Sequence, residues 1–218
     1  MKHSPPALTW EKYSARFRED AHQLLAWGYK DAFPLIKARQ EETEITGYVA
    51  EAIDARLSAD VSVTPKRFNR YCLKEDNPTK AGELKGKRRR RLDIVVEMTS
   101  RRPRPHYVFE AKRLHTSGHP ISTYLGDKGL LRFVERRYAA DCPEAAMVGY
   151  VQNNTAKYWK DKLNESFDKD MAGHFCVERE LRKEVILADL PDEWVSIHRR
   201  AGSPCITIYH IFLDCTAP

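Results

Sequence analysis

Nowhere does the sequence approach the roughly 18 consecutive apolar residues that a membrane span needs, and its start, MKHSPPALTW, has no apolar stretch of the kind a secretory signal uses. A cytoplasmic location with no membrane partner is the expectation. The cysteines, at 72, 142, 176, 205 and 215, include no CxxC pair and are odd in number, so neither a disulfide framework nor a zinc knuckle is indicated and reduced thiols are expected. There is no internal repeat, and 10 Gly and 12 Pro among 218 residues point to neither a fibrous chain nor a disordered one. HTSGH holds His115 and His119, but it contains Gly, precedes Pro and has no third ligand nearby, so both read as surface histidines.

What is present suits an ordinary globule. Hydrophobic residues make up 42% and charged residues 31%, enough for one domain over 1–218 with a substantial core. Lys and Arg number 37 against 31 Asp and Glu, a net +6 that favours a polyanionic partner without requiring one.

Periodicity predicts the elements. Trp10, Tyr13, Phe17, Ala21 and Leu24 stripe a helix from Thr9, its N-cap, to about Trp27, and Ile45, Val49, Ile53 and Leu57 stripe a second over Glu42 to Leu57. Residues 61–73 are weakly strand-like and 74–91 read as a polar loop. Residues 92–114 read as two apolar strands joined by a polar turn, Ser122 to about Ala140 as a helix, and AMVGYVQ (146–152) as a strand. Trp159, Leu163, Phe167 and Met171 stripe a further helix, and two terminal strands flank AGSP. The aromatic stripes of the helices read as core, and His198 and His210 on the terminal strands read as core or hydrogen-bonding groups, with a place beside a metal left open. The fold class is therefore α/β, a mixed central sheet flanked by helices: a helical segment 1–40, a core about 42–152 and an extension 153–218 that ends in a strand pair.

Charge inside the two apolar strands needs a reason, because burying a carboxylate costs several kcal/mol unless a partner or metal compensates it. In HYVFEAKRL the period of two puts Val108, Glu110 and Lys112 on one face, with Glu110 and Lys112 roughly 7 Å apart, and Tyr107, Phe109 and Ala111 on the other. Asp93 lies 110 − 93 = 17 positions upstream, and a short polar connection lets the strands pair as a hairpin. A carboxylate from each strand and one ammonium then converge. Two hard oxygen ligands suit Mg²⁺, and a neighbouring lysine can orient or deprotonate a water. The alternative is a structural salt-bridge cluster.

LDIVV followed by VFEAK resembles the PD-(D/E)XK, or restriction-endonuclease-like, nuclease superfamily over the middle two thirds of the chain; Leu92 stands where that motif has Pro. An E-x-K triplet arises by chance about once in a few hundred residues. A second, Glu83 to Lys85, lies in the polar stretch GELKGK with no strand around it and serves as the control. The resemblance implies a core of helix, three strands, helix and strand, with Asp93, Glu110 and the Ala111 carbonyl as ligands of Mg²⁺, for which Mn²⁺ can substitute, and Lys112 as catalytic lysine. It also implies an acid from the first helix. Glu42 is preferred over Glu41 and Glu44 because it lies on the side of Ile45 and Val49, while ordinary acidic enrichment of a first helical turn is the alternative.

Lys128, Arg132 and Arg136 recur every four residues on the predicted helix after this strand, and Arg89 and Arg90 belong to the run KGKRRRR (85–91). Both groups can follow a phosphate backbone or form a solvated basic face. The resulting expectation is a Mg²⁺-dependent nuclease acting on DNA in restriction, phage defence or repair. An RNA-cleaving enzyme, or a nuclease-fold module that binds nucleic acid or protein without catalysis, is the alternative, and a homodimer or larger complex stays open.

Overall fold

The computed structural model describes residues 10–60, 62–78 and 91–216. Thr9, the side chains of Trp10 and Tyr13, the control pair Glu83 and Lys85, and Arg89 and Arg90 lie outside the described residues.

Two helices open the described chain, α1 (Trp10–Ala32) and α2 (Glu42–Ser58). Phe17, Ala21, Leu24 and Leu25 form the buried stripe of α1, and Ile45, Val49 and Ile53 that of α2. The two cross closely at Gly28, where a Cβ would lie 2.8 Å from the Val49 carbonyl oxygen and overlap Ile53. The first helix runs on past Trp27 to Ala32 and a 3₁₀ turn at Phe33–Leu35. Asp20 ties α1 to the segment after α2: its fully buried carboxylate accepts from Arg67 (3.0 Å), Arg70 (3.0 Å) and the Tyr71 hydroxyl (2.7 Å).

A seven-stranded mixed sheet follows. Its strands are β1 (Tyr71–Pro78), β2 (Arg91–Met98), β3 (His106–Leu114), β4 (Glu144–Val151), β5 (Val177–Lys183), β6 (Glu193–Arg200) and β7 (Ser203–Asp214), in the order β1-β2-β3-β4-β7-β6-β5. The pairs β1-β2, β2-β3, β7-β6 and β6-β5 are antiparallel, while β3-β4 and β4-β7 are parallel. Alternation along β2 and β3 sends Ile94, Val96, Tyr107, Phe109 and Ala111 to the α1/α2 face. Val95, Val108 and Leu114 go to the other face, beneath α3 (Ile121–Leu125), α4 (Leu131–Val134) and α5 (Ala156–Asp168).

Several expectations need correction. Residues 74–78 are strand rather than loop: β1 is an edge strand, polar because it pairs on one side only, and Lys74 and Glu75 lie opposite Val95 and Ile94. Residues 62–65 are turn and irregular backbone and Lys66–Arg70 a 3₁₀ helix, with strand starting at Tyr71. The helix over Ser122 to Ala140 is broken. GDKG turns the chain between α3 and α4, where a Cβ on Gly129 would run into the Tyr124 carbonyl, and Arg136 and Ala139 have left-handed backbones (φ 59° and 46°). Leu130, Phe133, Val134 and Tyr138 are all buried, so their helical spacing reflects a compact turn that buries the same side chains. Met171 lies beyond the end of α5 and is 95% exposed, while Trp159 and Leu163 are buried. The C-terminal strands number three and belong to the same sheet; β5, VERELRK, escaped notice because its charged pattern has no apolar face, as befits an edge.

Candidate active site

Pairing of β2 with β3 sets the geometry. Ile94 lies opposite Phe109, so one step further along the ladder Asp93 falls opposite Glu110, both side chains on the α3/α4 face. The Ala111 N–H donates to Asp93 Oδ2 at 2.7 Å, which fixes the carboxylate against β3. Lys112, two residues beyond Glu110, returns to the same face. Its Nζ lies 3.0 Å from Glu110 Oε1, 2.8 Å from Glu42 Oε1, 3.8 Å from Asp93 Oδ2 and 2.5 Å from the Ala111 carbonyl oxygen. Of the three first-helix acids, Glu42, the first residue of α2, faces this ammonium; Glu44 caps the Glu41 N–H and Glu41 pairs with Arg113.

Depth differs across the cluster. Glu110 and Lys112 form the floor, 3% and 8% exposed, and Asp93 and Glu42 the rim, at 27% and 29%. Glu110 Oε2 is buried and has no hydrogen-bond partner among the described residues. Burial, reinforced by the Asp93 charge and opposed by Lys112, pushes the Glu110 carboxyl up to about 8. Burial also raises Asp93, against the pull of Lys112 and the Ala111 N–H. Burial disfavours the Lys112 ammonium, but Glu110, Asp93 and Glu42 outweigh it and hold the group charged. One positive charge thus faces three acids.

The acids open into a cavity of about 280 Å³ lined also by Thr123, Lys128, Arg132 and Tyr138. Arg132 is held there by its Nε, which donates to the Asp127 carbonyl at 2.8 Å, by the Tyr138 hydroxyl, and by stacking 4.9 Å above the Tyr138 ring. Burial, with Glu110 next, pushes the Tyr138 hydroxyl up to about 12. The cavity therefore has an acidic floor and a basic wall. The broken helix scatters the predicted basic stripe: Lys128 and Arg132 line the cavity, whereas Arg136, in its left-handed turn, does not.

Oxygen donors for a hard cation are Asp93, Glu110 and the Ala111 carbonyl, and the orphaned Glu110 Oε2 in the floor is the atom such an ion would satisfy. Among the described residues no group of three or more His, Cys, Asp and Glu side chains is arranged to hold a metal, and Lys112 Nζ sits among the acids. The two-carboxylate donor set fits Mg²⁺, which keeps waters and takes the rest of its shell from substrate phosphate. His115 and His119 pair through their backbones across a tight turn. His198 and His210 are buried and lie on either side of Ser196 Oγ, at 2.7 and 2.8 Å, outside this cavity.

Sequence reasoning passed over Thr123 and Tyr138, and also Arg113 and Gln152, whose bonds hold the start of α2. Their placement depends on which turn or helix end packs against the strands, and no local pattern announces that. The sequence matches no family model, no curated protein and no solved structure.

Proposed function

We propose that the chain is a Mg²⁺-dependent nuclease with a restriction-endonuclease-like core that hydrolyses phosphodiester bonds, DNA being the foremost substrate. The observation that carries this reading is the buried, unpartnered Glu110 Oε2 beside Asp93 and Lys112, under a wall of Arg132 and Lys128. The order α2, β1, β2, β3, α3/α4, β4 supports it as well.

Asp93, Glu110 and the Ala111 carbonyl would hold Mg²⁺ or Mn²⁺. When bound, the ion supplies positive charge for the phosphoryl oxygens as negative charge builds on them. The remaining work falls to the chain. Arg132, preorganised on Tyr138, and Lys128 bind the phosphate diester and hold it over the acids. Lys112 Nζ, anchored by Glu42 and the Ala111 carbonyl and held as an ammonium, donates a hydrogen bond that orients the attacking water. A 5′-phosphate product and a role in phage defence, restriction or repair complete the proposal.

The test incubates purified protein with plasmid, single-stranded DNA and RNA, with Mg²⁺ and with EDTA. Cleavage that needs Mg²⁺ and falls at least about 100-fold in Asp93→Ala, Glu110→Ala and Lys112→Ala, with circular dichroism unchanged, is the expected result. Cleavage of RNA alone would transfer the reading to a ribonuclease. The compensation of the acids by Lys112 favours a second reading, a binding module that keeps the cluster as structure. Nucleic-acid binding without Mg²⁺-dependent cleavage would select it.

A further inference from the structure

Asp93 and Glu110 are placed by one hairpin, but Glu42 reaches the cluster from a separate helix. Its position depends on where α2 starts relative to the end of β3, and two side chains outside the cavity control that junction. Arg113 follows Lys112 and, by strand alternation, leaves on the opposite face. Its guanidinium donates to both Glu41 oxygens, at 3.0 and 2.7 Å, and to the Gln40 carbonyl at 3.3 Å, while its backbone N–H, which no side-chain change removes, donates to Glu42 Oε2 at 3.1 Å. Gln152, 6% exposed just beyond β4, donates its side-chain amide to the same Gln40 carbonyl at 2.7 Å, and its N–H binds the Leu114 carbonyl at 3.0 Å.

Arg113, on β3, and Gln152, just past the end of the adjacent parallel strand β4, thus converge on one acceptor immediately before α2. Glu42 itself is held by both oxygens, Oε2 on the backbone N–H of Arg113 and Oε1 on Lys112 Nζ, and the clamp acts on the Gln40–Glu41 segment just before it. Without the clamp, the acidic first turn, with Glu41, Glu42 and Glu44 side by side, has no cation other than Lys112 to hold it at the sheet, among the described residues.

We propose that Arg113 and Gln152 are positioning residues that set the reach of Glu42 to Lys112 and, through it, the divalent-cation affinity of the site. The proposal rests on the nuclease reading. The fork geometry of arginine matters, because a lysine offers one donor centre where the guanidinium spans Glu41 and Gln40 together.

The test is Mn²⁺ binding to the full chain, followed by calorimetry, for wild type, Glu110→Gln, Glu42→Gln, Arg113→Gln, Arg113→Lys and the Arg113→Gln/Glu42→Gln pair, with circular dichroism as the folding control. Arg113→Gln is expected to weaken Mn²⁺ roughly tenfold, the size of a supporting-group effect, with Arg113→Lys in between. The double variant should bind no worse than Glu42→Gln alone, since the clamp acts through Glu42. Gln152→Leu, which removes one bond and no charge, should weaken binding in the same direction and decides the matter if Arg113→Gln does not fold. Wild-type affinity in Arg113→Gln, or an equal loss in the presence and absence of Glu42, overturns the clamp. Wild-type affinity in Glu42→Gln with loss in Glu110→Gln also overturns it and leaves the nuclease site standing, whereas wild-type affinity in Glu110→Gln overturns both.

Discussion

Replacing Glu110 by Gln should make the metal-free protein more stable, and the size of the gain follows from its surroundings. The carboxyl titrates near 4.5 in an unfolded chain and at about 8 in the folded one, so ionising it penalises the native state. Because the folded value is the higher of the two, the favourable contribution is complete below pH 4.5 and is lost as the pH rises towards 8. The penalty is then about 1 kcal/mol at pH 5 and about 3 kcal/mol at pH 7. Gln cannot ionise, and Lys112 keeps Glu42 at 2.8 Å and the Ala111 carbonyl, so little is lost in exchange. In EDTA at pH 7 the variant should melt roughly 6–12 °C higher, with the gap shrinking towards pH 5. Mg²⁺ at ten times its Kd should raise the wild type by about 1.4 kcal/mol and barely move the variant. Thermal melts at pH 5, 6 and 7 with EDTA or Mg²⁺ read all of this. A variant that melts lower than wild type at each pH, with or without Mg²⁺, would mean that Glu110 is a structural partner of Lys112 and would refute the reasoning.

Other expectations separate the remaining contributions. Arg132→Glu should weaken nucleic-acid binding and reduce the slope of log affinity against log salt by about 1, while Arg136→Glu, off the cavity, should leave the slope nearly unchanged in binding titrations at several salt concentrations. His198, held at about 4 by burial, penalises the fold as the pH drops from 6.5 through 4, the opposite sense to Glu110, so His198→Gln should flatten the acid side of a pH-dependent melt. Ser196→Ala strips a partner from both His198 and His210 and should cost about 1–3 kcal/mol by denaturant unfolding. Gly28→Ala should cost about 1–3 kcal/mol in the same assay through overpacking at the α1–α2 crossing.

Much of the architecture near the acids was legible in the chain itself. Alternation in HYVFEAKRL separates Tyr107, Phe109 and Ala111 from Glu110 and Lys112, and a connection over 99–105 suffices to bring Asp93 opposite Glu110 in a hairpin. Those are local rules, since a strand has a period of two and a short turn fixes register. The stripes of α1 and α2 were legible for the same reason, as burial on one side imposes a 3.6-residue period. The segment 122–140 misled because periodicity records which side chains are buried and is blind to the backbone path. Two glycines and left-handed turns bury Leu130, Phe133 and Tyr138 without a continuous helix, and so divide Lys128 and Arg132 from Arg136. Only tertiary structure set β7 beside β4, made β5 an edge, placed Glu42 on Lys112 and brought Arg113 and Gln152 to the Gln40 carbonyl. Each of these joins residues far apart in sequence, and such pairings are decided by the shapes and charges that meet when whole elements pack.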